Sequence, residues 1–338
     1  MEIQTLNPAT PRQRQRIEAF LKRNALRIDD MNYYAAVLDD DGEMIAGGGL
    51  KDDVIKCVAV DDAHKGEAIA NTLVSHLISH ANQEGYSCIK LFTKPKNRQL
   101  FESLSFRLLA EAPEAILMET GIGGISNTVE ALKKIKEESE KYKEYNKECK
   151  EDSKECRENT SYLNTSTPQH HNTTMQPTGC IVMNCNPFTL GHRYLIEQAA
   201  KQVERLYVMV VREDCSLFAY TERKAMVEQG VADIENVSVI DGSDYAISRA
   251  TFPTYFLKRL DDAADTQILL DLDLFRRHIA PALGAKVRFV GTEPTDELTR
   301  RYNELMMESL GKDHVVEIPR LENGGVAVSA SRVRRAMD

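Results

Sequence analysis

Thr189, Gly191 and His192 stand at a spacing that suits anion chemistry. The run Gly179-Cys-Ile-Val-Met-Asn184 reads as a buried parallel strand, and the loop Cys185-Asn-Pro-Phe188 leads into a helix expected over His192–Val203. Thr189 is a suitable N-cap. Gly191 carries no side chain to keep a phosphate from the backbone, and His192 in the first turn can face the same anion, whose natural partners are the unpaired amides of a helix start. The plain alternative for His192 is a ring that only solvates those amides. Strand, loop and helix would put this chemistry at the carboxyl end of a strand, the usual location of a site in an open parallel sheet.

The elements that must position these residues follow from periodicity and turn residues. Further parallel strands fit Arg205–Val211, Val237–Ile240, Val287–Gly291 and Val315–Ile318, and helices fit Glu222–Asp233, Phe252–Leu260, Thr266–Ile279 and Asp296–Leu310. Repeated strand and helix predict a doubly wound α/β domain with right-handed crossovers. Earlier in the chain the reading is different. A helix fits Arg12–Leu26, then strands Tyr33–Leu38, Met44–Gly49 and Val54–Val60 separated by Asp/Gly turns, a helix Glu67–Glu84, strand Cys88–Thr93, helix Asn97–Leu104 and strand Ala115–Glu119. That order describes an α+β unit.

Length and composition are consistent with two such domains. The chain has 338 residues with 42% hydrophobic and 28% charged, and roughly 150 residues per domain is a usual size. The net charge of −9 argues against non-specific nucleic-acid or anionic-membrane partners. Seven cysteines, an odd number with no CxxC pair, argue against a disulfide scaffold or a thiolate zinc site; no metal ligand set is assigned. No stretch reaches the ~20 apolar residues of a membrane span, and the start lacks a secretory pattern, so the expectation is a soluble, cytoplasmic protein. From Lys133 to Glu158, 18 of 26 residues are charged, nine of each sign. Such composition fits a solvated helix or tether better than a core. The domains are therefore expected at 1–130 and 179–338, with a charged linker or insertion at 131–178.

Three resemblances sharpen this reading. The first domain's element order, with the segment Cys57-Val-Ala-Val-Asp-Asp-Ala-His-Lys-Gly-Glu-Ala-Ile-Ala70, resembles the GCN5-related N-acetyltransferase fold. In that family a turn and the following helix start hold the pyrophosphate of acetyl-CoA. The resemblance implies His64, Lys65, Gly66, Ala68 and Ala70 as residues for docking a thiol cofactor, with Lys65 where arginine or glutamine is usual and Ala68 where glycine is usual. For His64 the alternative is an ordinary surface residue.

Asn186-Pro-Phe-Thr-Leu-Gly-His192 resembles the T/HxGH signature of the nucleotidyltransferase superfamily, and Val328-Ser-Ala-Ser-Arg-Val-Arg334 resembles its second signature. This resemblance implies ATP as substrate, with Mg²⁺ carried by the phosphates. It also implies His192, Thr189 and Arg334 as catalytic groups, and Asn186, Phe188, Gly191, Ser329, Ser331 and Arg223 around the phosphates. Gly291 and Glu293 would then lie near adenosine. Plain alternatives are helix capping for the serines, a surface role for Arg223 and an exposed turn for Glu293.

The pairing of the two domains resembles the citrate lyase ligase family. It implies activation of acetate by ATP to acetyl adenylate, with pyrophosphate released. The acetyl group would then pass to the dephospho-CoA-derived thiol on the acyl carrier subunit of citrate lyase, with release of AMP. Three other functions compete: an adenylyltransferase for a phosphorylated small molecule, an inactive carrier-protein adaptor, and an acetyl-CoA-dependent acetyltransferase.

Overall fold

A computed structural model describes residues 2–64, 67–158, 177–212, 216–242, 245, 252–257, 263–294, 296–324 and 326–337. Its residues group into two compact units. The first comprises Met1–Asn127, Ile247–Arg277 and Glu304–Ser309, and the second Thr128–Ala246, His278–Asn303 and Leu310–Asp338.

The first unit is built on a seven-stranded sheet. In chain order it contains β1 (Glu2–Leu6), α1 (Pro11–Arg23), β2 (Tyr33–Leu38), β3 (Met44–Lys51), β4 (Val54–Val60), α2 (Glu67–Gln83), β5 (Cys88–Thr93), α3 (Arg98–Ser103), β6 (Arg107–Glu111) and β7 (Ile116–Gly121). The strands lie in the order β1-β2-β3-β4-β5-β7-β6. Leu73, Leu77 and Ala81 recur at four-residue spacing on α2 and are buried together with Val37, Ile89 and Leu91 of the sheet. Strands β1 and β6, which lie at the two edges, were not expected from the sequence.

All pairings in this sheet are antiparallel except β4 with β5, which meet in parallel only at Val54↔Lys90 and Ile55↔Leu91. A cleft of about 1040 Å³ is lined by the later residues of both strands, among them Val58, Val60, Leu91 and Thr93, and by Ala70 and Tyr255. Residues 252–257 are not the expected helix but an irregular segment. Phe252 packs edge-on against Phe92 at 5.7 Å, and the Thr254 carbonyl accepts from Arg27 at 2.6 Å. The apolar spacing of Phe252, Tyr255 and Phe256 therefore records burial within the first unit rather than a helical face.

The charged stretch begins inside a long helix, α4 (Ile125–Glu158), and residues 159–176, the remainder of the expected linker apart from Pro177 and Thr178, lie outside the described residues. Part of this helix is packed rather than free. Leu132 is buried, and the Ser139 carbonyl accepts from buried Arg205 at 2.6 Å within the second unit.

The second unit contains β8 (Thr178–Met183), α5 (Leu190–Ala200), β9 (Arg205–Val210), α6 (Tyr220–Val231) and β10 (Val237–Asp241), then, after α7 (Ala263–Leu274) of the first unit, α8 (Ala280–Leu283), β11 (Ala285–Gly291), the first half of α9 (Glu297–Leu310), β12 (Val315–Ile318), the short strands β13 (Glu322–Asn323) and β14 (Val326–Ala327), and α10 (Ala330–Met337). The five long strands are all parallel in the order β10-β9-β8-β11-β12. This is the expected doubly wound, Rossmann-like arrangement. The chain moves from β8 to β9 and β10, then returns to the other side of β8 with β11, so a topological switch point lies between β8 and β11. Ile196, Ala199 and Val203 pack against Val208, Val210 and Phe289 in its core.

One buried charge ties α4 to the first sheet. Glu119 of β7 is fully buried; it accepts from Arg107 Nε at 2.8 Å and from the Ile125 amide at 3.2 Å, the first residue of α4. A buried carboxylate holds its charge only through such donors. Replacing Glu119 by alanine leaves the helix amide without its acceptor and takes one partner from Arg107, which is half exposed and keeps the Gly123 carbonyl, so the expected loss is about 1.5–3 kcal/mol. Urea denaturation of wild type and variant checks this; a loss below about 1 kcal/mol, the range of a surface pair, would refute it.

Candidate functional site

The loop that leaves β8 is fixed from beneath by one cation. Arg223 of α6 has no exposed surface. Its Nη1 donates to the Asn184 carbonyl at 2.7 Å, Asn184 Oδ1 at 2.6 Å and the Val211 carbonyl at 2.9 Å, while Nε donates to the Phe218 carbonyl at 3.2 Å. The expected phosphate contact of Arg223 is set beside this placement beneath the loop. Its guanidinium is engaged by the carbonyls at the ends of β8 and β9.

Above that clamp, α5 starts at Thr189. The backbone N–H of Thr189 donates to His192 Nδ1 at 3.0 Å, and the Thr189 hydroxyl lies at the same distance from that nitrogen. A backbone amide can only donate, so Nδ1 is the acceptor and the neutral ring carries its proton on Nε2. Phe188 stacks on His192 with ring centroids 5.9 Å apart, and Phe188 in turn lies against Gly230 of α6, where a Cβ would fall 2.3 Å from its ring. Arg193 donates to the Gly230 carbonyl at 2.5 Å, fastening α5 to α6, and to both oxygens of Asp233 just beyond α6 at 2.9 and 2.7 Å.

The C-terminal turn meets this loop. A Cβ at Gly191 would lie 3.0 Å from the Val328 carbonyl, so the two segments approach more closely than most side chains allow. Arg334 of α10 donates to the Asn186 carbonyl and, at 3.2 Å, to Ser331 Oγ. Ser329 Oγ accepts from the Arg332 amide at 3.3 Å and caps α10. Asn186 Oδ1 accepts from the Phe218 amide at 3.2 Å. Asn186, Phe188, Thr189, Gly191, His192, Ser329, Ser331 and Arg334 are thus brought to one end of the parallel sheet.

Gly291 ends β11 and Glu293 follows it, on the other side of the switch point. A Cβ added at Gly291 would lie 3.9 Å from Leu195 of α5. Glu293 is buried, not an exposed turn residue; it pairs with Arg320 and accepts from the Asp296 amide at 3.0 Å. Sequence reasoning missed Arg320. Its signal was positional only, since it stands two residues beyond the end of β12.

Of the residues expected to dock a thiol cofactor, Lys65 and Gly66 lie outside the described residues. His64 is exposed at the end of a short 3₁₀ turn, Ala68 is exposed in α2, and Ala70 lines the first-unit cleft. Among the described residues no group of three or more His, Cys, Asp or Glu side chains is disposed to hold a metal ion, and no helix is long and apolar enough to cross a membrane.

Known proteins carry the same two parts. Residues 2–106 match the acetyltransferase (GNAT) family, and residues 178–338 match the citrate lyase ligase C-terminal domain. A citrate (pro-3S)-lyase ligase of Haemophilus influenzae is 36% identical over 328 residues, spanning 94% of this chain and 87% of the relative. The chain belongs to the citrate lyase ligase family. The Klebsiella pneumoniae member is 37% identical, with 95% of this chain and 85% of that protein covered. A phosphopantetheine adenylyltransferase of Streptococcus suis is 26% identical over 132 residues, covering 36% of this chain and 82% of its own. Family membership makes this chain an enzyme of the ATP-using ligase type.

The electrostatics of His192 distinguish a cation from a neutral donor. Burial, reinforced by the charge of Arg320, pushes its pKa down from 6.5 to about 4. At neutral pH the ring is therefore an uncharged Nε2–H donor. As pH falls below 6.5 the unfolded chain takes up a proton that the folded chain refuses, so stability is lost down to about pH 4 and changes little from this group below that. The total is roughly 3 kcal/mol. Nitrogen-15 spectra of the labelled ring should show the Nε2–H tautomer and titration near pH 4; an Nδ1–H tautomer or titration near 6.5 would contradict the geometry.

Proposed function

We propose that the second unit binds ATP with its triphosphate across the Thr189–His192 and Ser329–Arg334 turns and activates acetate as acetyl adenylate, releasing pyrophosphate. The acetyl group then passes to the thiol prosthetic group of the acyl carrier subunit of citrate lyase, releasing AMP. The observation that supports this reading is the close seating of Gly191 against the Val328 carbonyl, together with Arg334 on Asn186. Two helix starts and one arginine meet at a single place, and such a combination suits a chain of phosphates.

Acetate oxygen attacks the α-phosphorus and pyrophosphate leaves, so charge grows on the bridging oxygen and the leaving group. Nε2–H of His192 donates to these oxygens, and Arg334 neutralises them. The Ser329 and Ser331 hydroxyls and the amides opening α10 hold the outer phosphates. No protein nucleophile is needed; alignment and charge stabilisation supply the acceleration. Mg²⁺ arrives with ATP, held by phosphate oxygens and water. In the first unit, the cleft where β4 and β5 diverge, lined in part by Ala70, takes the thiol arm, and His64, Lys65, Gly66 and Ala68 keep the docking role that the resemblance implies.

Two measurements test these roles. Wild type supplied with Mg²⁺ and acetate should exchange labelled pyrophosphate into ATP, and His192→Ala should lower that exchange by about 10²–10³; exchange that needs a phosphorylated small molecule in place of acetate would instead select an adenylyltransferase. The double variant His64→Ala with Lys65→Ala should keep pyrophosphate exchange while needing more carrier subunit for label transfer. Equal loss in both half-reactions would remove the docking role from the first unit.

A further inference from the structure

Arg320 lies in the loop that follows β12, at the same end of the sheet as the His192 turn. Its backbone amide donates to Thr292 Oγ1 at 3.1 Å, and the Thr292 amide donates back to Ile318 at 2.9 Å. The loops after β11 and β12 are thereby locked together. The guanidinium is gripped as well. Nη2 of Arg320 pairs with Oε2 of Glu293, whose side chain is only 4% exposed, and Oε1 of the same carboxylate is held by the Asp296 amide at 3.0 Å.

A carboxylate so deeply buried gives up its hydration, which joining two surface loops does not require. What it achieves is to fix a cation. Arg320 itself keeps about a quarter of its side chain exposed, at 27%, and among the described residues its Nε and Nη1 donate to nothing. One edge of the guanidinium is used for support while the remaining donors stay available. Lysine could not divide its roles this way, because only the planar fork presents separate edges. The positive charge also reaches His192, whose preference for the neutral ring it strengthens. A cation beside a neutral donor is a sensible composition for a pocket that must accept a polyanion, since protonating the histidine is then unnecessary.

We propose that Arg320 is a phosphate-contacting residue of the nucleotide site, and that Glu293 is a positioning residue that holds Arg320 rather than a group that touches adenosine. This rests on the ATP reading above and assigns that site a cation and its support.

The test uses the full-length chain and compares binding of Mg²⁺–ATP, inorganic pyrophosphate and adenosine by calorimetry, for wild type, Arg320→Gln, Arg320→Lys and Glu293→Gln. One charge-assisted contact corresponds to about tenfold to a hundredfold in affinity. Arg320→Gln should weaken ATP and pyrophosphate by that factor and leave adenosine within about twofold, with Arg320→Lys recovering part of the loss. Glu293→Gln should weaken ATP less than Arg320→Gln does and also spare adenosine. Unchanged ATP and pyrophosphate affinity in a folded Arg320→Gln protein overturns the role of Arg320, and loss of adenosine binding in Glu293→Gln overturns that of Glu293. If Arg320→Gln does not fold, Arg320→Lys with wild-type affinity for both phosphate ligands and for adenosine overturns the proposal, because a lysine lacks the second edge. Wild type that binds neither ATP nor pyrophosphate removes the ATP reading itself, and that result is visible before any variant is compared.

Discussion

Arg223 gathers the carbonyls of Asn184, Val211 and Phe218 around one buried guanidinium, and the rest of the second unit's carboxyl end is arranged above it. These carbonyls come from the ends of β8 and β9 and from the approach to α6. Without a donor they would be polar groups turned away from water at a place where strands no longer pair them. An arginine satisfies all three because its donors diverge in a plane. With those segments immobilised, the Asn186–Thr189 loop has a fixed base, and α5 starts where Gly191 can meet the Val328 carbonyl.

The charge distribution at that end follows from the same economy. His192 accepts from the Thr189 amide through Nδ1, a bond that a protonated ring could not make. Its neutrality is thus built into the helix cap before any neighbouring charge is considered. Positive charge comes instead from the guanidinium groups of Arg320 and Arg334. A site made in this way presents the same face to an anion across the ordinary pH range, whereas one resting on imidazolium would fade near 6.5.

The first unit solves a different problem with similar means. Strands β4 and β5 pair at two positions and then separate, so the sheet is split where Val58, Val60, Leu91 and Thr93 line an open cleft. The split is tolerable because each strand is paired in antiparallel register on its other side, β4 with β3 and β5 with β7. Residues 252–257, far along the chain, pack near this region through Phe252 on Phe92. Compactness in this protein therefore does not follow chain order, and residues 252–257 belong by their contacts to the unit formed earlier in the sequence.

Much of the secondary structure was legible because it is local. Tyr33–Leu38, Val54–Val60, Cys88–Thr93 and Val315–Ile318 have the bounds expected from apolar runs between turn residues. Edge strands β1 and β6 escaped notice, since a strand with one neighbour buries few side chains and leaves a weak pattern. Residues 252–257 misled for the opposite reason, their apolar spacing being that of a helix while their contacts are those of a packed loop. The Thr189–His192 turn could be read from its residues alone, because capping and anion affinity are properties of a single helix start. Tertiary structure alone decided that Arg223 is a clamp, that Glu293 is buried and that Arg320 stands with it. Whether a charged side chain faces solvent, a ligand or a ring of carbonyls depends on which distant loops the fold turns toward it, and no local pattern of residues encodes that.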